Sequence, residues 1–195
     1  MSQDQIFKKF KEAGALLEGH FVLSSGLHSA KYIQCARVMM FPKISQFLCK
    51  ELAKKISETF GSIDLIVSPA MGGVIVGYEV AKQLGVPAIF FERVEGQFQL
   101  RRGFEIKKQT KCIMVEDIVT TGLSSRECIS AITEHHGNVI GAACLIDRSS
   151  GAANVGVELV SLAEMTIETY DESNIPSWLN DIPISKPCLL YTSDA

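Results

Sequence analysis

The chain predicts an α/β fold: a doubly wound, mainly parallel sheet preceded by a small N-terminal unit of its own. Short apolar runs at 63–67, 88–91, 112–115 and 139–146 have the length and composition of strands buried on both faces. Helical patterns separate them, and strands alternating with helices imply parallel pairing through crossover connections. At 195 residues, with 47% hydrophobic and 21% charged side chains, the chain suits one globular domain with a sizeable core.

The elements follow in order. Ile6, Phe7, Phe10, Leu16 and Leu17 recur at helical spacing and predict an amphipathic helix over 3–17, ahead of Gly19. His20 to Leu23 alternates into the turn Ser24-Ser25-Gly26, and Ala30 to Gln34 reads as a return strand. Pro42 opens a helix carrying Ile44, Phe47, Leu48, Leu52 and Ile56 on one face, with Gly61 as its stop. After the 63–67 strand come a Pro/Gly turn and a helix through Leu84, ended by Gly85; Pro87 leads into the strand Ala88 to Phe91.

Residues 93–109 are polar and weakly periodic, the character of a lid over 94–105. The 112–115 strand is followed by a helix from Arg126 to His136 and the strand Val139 to Ile146, which runs into Asp147-Arg148. Val157 to Leu162 and Met165 to Tyr170 read as the last strands, and Trp178 as core closure. Residues 188–195 continue neither a helix nor a strand and read as a non-native tail on a domain of 1–187.

Net charge is −3, which argues against a general nucleic-acid binder, because such affinity rests on clustered Lys and Arg. Arg93, Arg101, Arg102, Lys107, Lys108 and Lys111 form a local basic concentration suited to a small polyanion. The N-terminus lacks a signal-like pattern and no stretch is long enough to span a bilayer. Six cysteines at 35, 49, 112, 128, 144 and 188 include no C-x-x-C pair and read as buried free thiols of a reducing cytoplasm.

The chemistry concentrates in residues 112–125. The apolar strand stops at Glu116 and Asp117, at the carboxyl end where open α/β sheets place ligands. The turn Thr120-Thr121-Gly122-Leu123-Ser124 then offers backbone N–H groups and hydroxyls at a helix start, a cradle for phosphate. Acids fit ribose hydroxyls, so the loop has the parts to hold a ribose phosphate. Ser68-Pro69-Ala70-Met71-Gly72-Gly73 is a second strand-to-helix turn with small side chains; it is neither a Walker loop nor a G-x-G-x-x-G motif. Arg93 ends a strand at the same sheet edge, and its guanidinium can grip phosphate oxygens in pairs.

The 112–125 segment resembles the phosphoribosyl pyrophosphate (PRPP) loop of the type I phosphoribosyltransferases, with Leu123 where relatives usually have a second glycine. Gly-His-Phe-Val-Leu-Ser-Ser-Gly-Leu-His-Ser (19–29), with Tyr32, resembles the hood of the orotate-specific members, spanning about residues 1–40 here. Ser24 stands where relatives often carry a lysine. His20 and His28 read as packing or hydrogen-bonding residues, not metal ligands.

The resemblance implies a type I phosphoribosyltransferase fold, with PRPP held by Glu116, Asp117, Ile118, Val119, Thr120, Thr121, Gly122, Leu123, Ser124, Met71, Gly72, Gly73 and Arg93. It implies a cis peptide between Ala70 and Met71. Orotate falls to Thr120, Arg148 and Tyr32; Glu116, Asp117, Arg93, Arg101 and Arg102 carry the catalysis. Val94 to Phe104 has no lysine or histidine, although many relatives use both in their lid. The resemblance further implies Mg²⁺ held mainly by PRPP and water, a cytoplasmic enzyme of UMP synthesis, and a homodimer. The competing readings are a transferase for another base, which the hood disfavours, and a non-catalytic PRPP-binding regulator, which the retained acids and basic lid disfavour.

Overall fold

A computed structural model describes residues 2–23 and 25–185. The expectations for Ser24, Cys188 and the 188–195 tail lie outside the described residues. Helix α1 (Gln3–Glu12) opens on a capping box between Ser2 and Gln5 and buries Ile6 and Phe10. It ends five residues earlier than its apolar spacing predicts. Gly14 turns the chain at a φ of +61°, so Leu16 and Leu17 begin strand β1 (Leu16–Val22) instead of a last helical turn. Strand β2 (His28–Ile33) returns antiparallel to β1 and leads into a short helix α2 (Cys35–Met39).

Helix α3 (Pro42–Phe60) starts and stops where the sequence predicts, with proline in its first turn and Gly61 at a φ of +71° after its end. Strand β3 (Leu65–Pro69), helix α4 (Gly72–Leu84) and strand β4 (Ala88–Val94) form one crossover unit. The predicted lid does not begin as a loop. Glu95 and Gly96, both at positive φ, make a tight hairpin from β4 to strand β5 (Gln97–Leu100), so only the stretch beyond Leu100 lacks strand structure.

Strand β6 (Lys111–Val119), helix α5 (Leu123–Glu134) and strand β7 (Asn138–Asp147) form the second unit. Strand β8 (Leu159–Glu164) completes the sheet. Met165 to Tyr170 is not a sheet strand: it leaves the edge, and its one ladder contact is a bridge from Tyr170 to His28. Helix α6 (Ser177–Asn180) and strand β9 (Ile184–Ser185) follow, β9 lying parallel to β1. Trp178 does not close the core; it is 54% exposed.

The main sheet has the order β5-β4-β3-β6-β7-β8, parallel except for β5 against β4. From the centre, β3 connects outward to β4 and β6 connects the opposite way to β7, so the order reverses between β3 and β6. A crevice outside the carboxyl ends of these two strands is where such sheets take ligands. Helices α3 and α4 cover one face, with Leu48, Leu52, Ile56, Val76 and Val80 packed on Ile113 and Val115. Helix α5 covers the other, with Cys128, Ala131 and Ile132 packed on Cys112 and Met114. The cysteines at 35, 49, 112, 128 and 144 are buried and free. Burial pushes the Cys49 thiol up to about 12, keeping it protonated at neutral pH. Among the described residues no helix is long and apolar enough to cross a membrane.

Candidate active site

Strand alternation decides how the two acids are used. Strand β6 runs to Val119, four residues beyond the predicted Val115, so Glu116 and Asp117 are strand residues and project to opposite faces. Glu116 turns toward α5 and accepts a short hydrogen bond from Ser125 Oγ. It is only 7% exposed. Burial raises its pKa, with the Ser125 and Ser124 bonds and the Arg93 charge opposing and Asp117 adding to the rise. Asp117 turns toward α4. Burial raises its pKa too, against the hydrogen bond that its Oδ1 accepts from Ile118 N at 3.0 Å.

The turn after β6 has the form an anion cradle needs. Gly122 takes the left-handed conformation at a φ of +74°, and α5 begins at Leu123 rather than at the predicted Arg126. Leucine at 123 is therefore helical and unstrained; the position that requires glycine is 122. Gly122 has no side chain to cap the helix, the Thr121 hydroxyl accepts from Leu123 N at 3.4 Å, and the first turn lines a cleft of about 370 Å³. Arg93, Glu116, Ile118, Val119, Thr120, Thr121, Gly122, Leu123 and Ser124 line this cleft, so one cavity gathers most of the predicted PRPP residues.

The second turn abuts the same strand. The Ala70–Met71 peptide is cis, as the resemblance implies. A Cβ at Gly72 would stand 2.9 Å from Asp117 Oδ1, and one at Gly73 would stand 2.9 Å from the Val115 carbonyl oxygen. Only glycine allows the start of α4 to lie this close to β6. Met71 points outward at 85% exposure, so its contribution to a ligand is through its backbone or not at all.

The basic residues are less concentrated than the sequence implies. Arg93 reaches the cleft, but its guanidinium pairs with Glu127 at 2.7 Å and lies 4.2 Å from the centre of the Phe98 ring. Arg102 pairs with Glu92 at 2.7 Å, and neither Arg101 nor Arg102 lines the cleft.

Arg148 sits one residue past β7, where its N–H donates to the Val119 carbonyl oxygen at 2.8 Å and so joins it to the start of the cradle. Its Nε is buried with no hydrogen-bond partner among the described residues. Burial lowers its pKa, and the nearby Tyr32 and Cys35 oppose that shift. A buried guanidinium N–H without a partner is costly, and an anion could supply the missing acceptor.

The structure adds residues that the sequence reading passed over. Ser125, the last residue of the 112–125 segment and given no role from the sequence, supports Glu116 from the first turn of α5. Asp147 ends β7 and binds the turn that carries Arg148. Its signal, an acid at the end of an apolar strand, equals the one that drew attention to Glu116, yet no phosphate-type turn follows it. His20 and His28 hydrogen-bond to each other at 2.6 Å across the hood, in line with the role expected for them.

Residues 42–169 match the phosphoribosyl transferase domain family. The chain is 54% identical over 188 residues to the orotate phosphoribosyltransferase of Parvibaculum lavamentivorans, covering 96% of this chain and 97% of that one. It is 52% identical over 187 residues to the enzyme of the same name from Caulobacter vibrioides, with 96% of each covered. Among solved structures, the orotate phosphoribosyltransferase from Aeropyrum pernix superposes with a TM-score of 0.68 at 28% identity, over 82% of this chain and 93% of that one.

Proposed function

The chain belongs to the phosphoribosyl transferase family, among its orotate phosphoribosyltransferases, and on that premise we propose that it makes orotidine 5′-monophosphate and pyrophosphate from PRPP and orotate, a step of UMP synthesis. Residues 1–187 act in this reading as one domain, with the hood over the base.

The 5′-phosphate of PRPP sits on the N–H groups of Thr121 to Ser124, where the start of α5 favours an anion. Glu116 and Asp117 face the ribose from the two sides of β6, and Met71 to Gly73 with Arg93 take the pyrophosphate. Departure of pyrophosphate leaves an oxocarbenium-like sugar carbon, which the ring nitrogen of orotate attacks as its N–H proton passes to the leaving pyrophosphate or to water. Because orotate brings its own nucleophile, the protein's task is alignment and charge stabilisation. Arg101 and Arg102 exchange their surface positions for the leaving anion when the lid closes and excludes water.

Glu116 and Asp117 face opposite sides of β6 and do not form a joint cation site, so in this reading Mg²⁺ would be held mainly by PRPP oxygens and water, as suits a hard cation that keeps its waters. Bound there, Mg²⁺ supplies charge neutralisation on the pyrophosphate.

The observation that carries the choice of base is Arg148: its unpartnered, buried Nε beside Tyr32 and the cradle awaits a carboxylate such as that of orotate. The free, buried thiols suit a cytoplasmic enzyme. Dimerisation finds support in the exposed Met71, just before α4, and in Ile75 and Tyr78 of α4, the latter two sharing a cleft with Met39 and Pro42. The direct test of the activity is loss of orotate absorbance on mixing the protein with PRPP and Mg²⁺. The reading requires that loss to depend on both substrates, and no loss would overturn it.

A further inference from the structure

We infer that Asp147 is the positioning residue that sets Arg148 for its carboxylate, through a loop that also braces the phosphate cradle. The inference rests on the orotate reading of Arg148. Asp147 ends β7 and is 3% exposed. Its Oδ1 accepts from Ser149 N at 2.7 Å and Ser149 Oγ at 2.6 Å, and its Oδ2 accepts from Gly151 N at 3.1 Å. Ser149 Oγ in turn accepts from Ala153 N at 2.8 Å. A buried carboxylate is costly unless donors surround it, and here every donor belongs to the turn that follows Arg148.

The backbone of Arg148 is thus gripped on both sides. Its own N–H is bound to Val119, and Ser149 and Gly151, two of the three residues after it, are tied to Asp147. The far end of the loop reaches α5, where Arg126 Nη1 donates to the Asn154 carbonyl oxygen. A Cβ at Gly122 would meet that same oxygen at 3.1 Å. One loop therefore runs from the base-reading arginine to the glycine of the cradle, with Asp147 fastening the base end and Arg126 the phosphate end. Removing the Asp147 carboxylate loosens Arg148 and leaves the Arg126 contact in place.

The test compares three constants in wild type, Asp147→Ala and Asp147→Asn: KM for orotate, KM for PRPP, and the inhibition constant of uracil, which has the same ring without the carboxylate. Asp147→Ala is expected to raise KM for orotate about tenfold or more, the loss of roughly one charge-assisted bond, with the PRPP and uracil constants changed by less than about twofold. Asp147→Asn keeps an acceptor for Ser149 and lacks the one for Gly151, so it falls between. Equal weakening of orotate and uracil would show a merely structural role and overturn the inference. So would an unchanged orotate KM in either variant, and if Asp147→Ala does not fold, the Asp147→Asn split decides. A wild-type protein that prefers orotate no more than uracil would instead overturn the reading of Arg148 itself.

Discussion

Gly72, the first residue of α4, lies against the carboxylate of Asp117 in β6, so closely that a Cβ there would stand 2.9 Å from Oδ1. The contact joins the two turns of the crevice, the ones proposed for the two ends of PRPP. Gly72→Ala is therefore expected to lower kcat on the order of 10- to 100-fold, with a thermal midpoint unchanged or lower, because the new Cβ displaces the Asp117 carboxylate. Calorimetry and steady-state rates on one preparation check this. Full activity in the variant would show that the contact does not set the acid.

Asp117→Asn separates stability from catalysis. Burial raises the carboxyl's pKa, so the folded protein holds this proton more tightly than the unfolded chain does. The sign follows: stability is greatest below the ordinary carboxylate range and falls as pH rises from there through the raised value. Asparagine carries no such cost and keeps the Oδ1 acceptor for Ile118 N. The ligand-free variant should melt above wild type at neutral pH, by 2–4 °C on the order of each kcal/mol recovered at this chain size, and the gap should close in acid. Its kcat should drop strongly. Wild-type turnover would remove Asp117 from the mechanism.

Much of this site was legible before the structure. Pro42 and Gly61 bounded α3 correctly, and the buried run from Cys112 with its acids and Thr/Gly/Ser turn located the cradle. These signals are local, carried by turn chemistry and apolar runs. What could not be read depends on partners distant in sequence. Leu16 and Leu17 match a helical pattern as well as a strand, and the left-handed Gly14 decides between them. Strand β9 has two residues and exists only by pairing with β1. Met165 to Tyr170 alternates like a strand, yet Met165 N donates to Asp147 and the chain then departs toward the hood. The opposite facing of Glu116 and Asp117 needed only the correct end of β6, which charged residues obscured.

The lid arginines make a third prediction. Arg102 is held by Glu92 and lies over the Phe90 ring at 5.9 Å, while Phe104 packs edge-on to the same ring. Exposed ion pairs of this kind exchange readily for a stronger anion. Arg101→Ala and Arg102→Ala should each lower kcat, and the double variant should lose synthesis while the cradle still binds PRPP. Glu92→Gln, which frees Arg102, should preserve or increase kcat. Stopped-flow rates with PRPP-binding titrations check this; an unaffected double variant would make the lid arginines idle.

Tyr78, 66% exposed on α4 near Ile75 and Pro42, marks the face assigned to the dimer. Sedimentation of wild type should give the mass of two chains, and Tyr78→Asp should shift the equilibrium toward one by burying a charge without a partner. A variant as dimeric as wild type would move the interface elsewhere.

The most direct test of the whole account is a crystal structure of the protein with PRPP and Mg²⁺. The account predicts the 5′-phosphate on the N–H groups from Thr121 to Ser124, the ribose against the β6 acids, and the pyrophosphate against Met71 to Gly73. A donor bound anywhere else, with the turn after β6 empty, would contradict it.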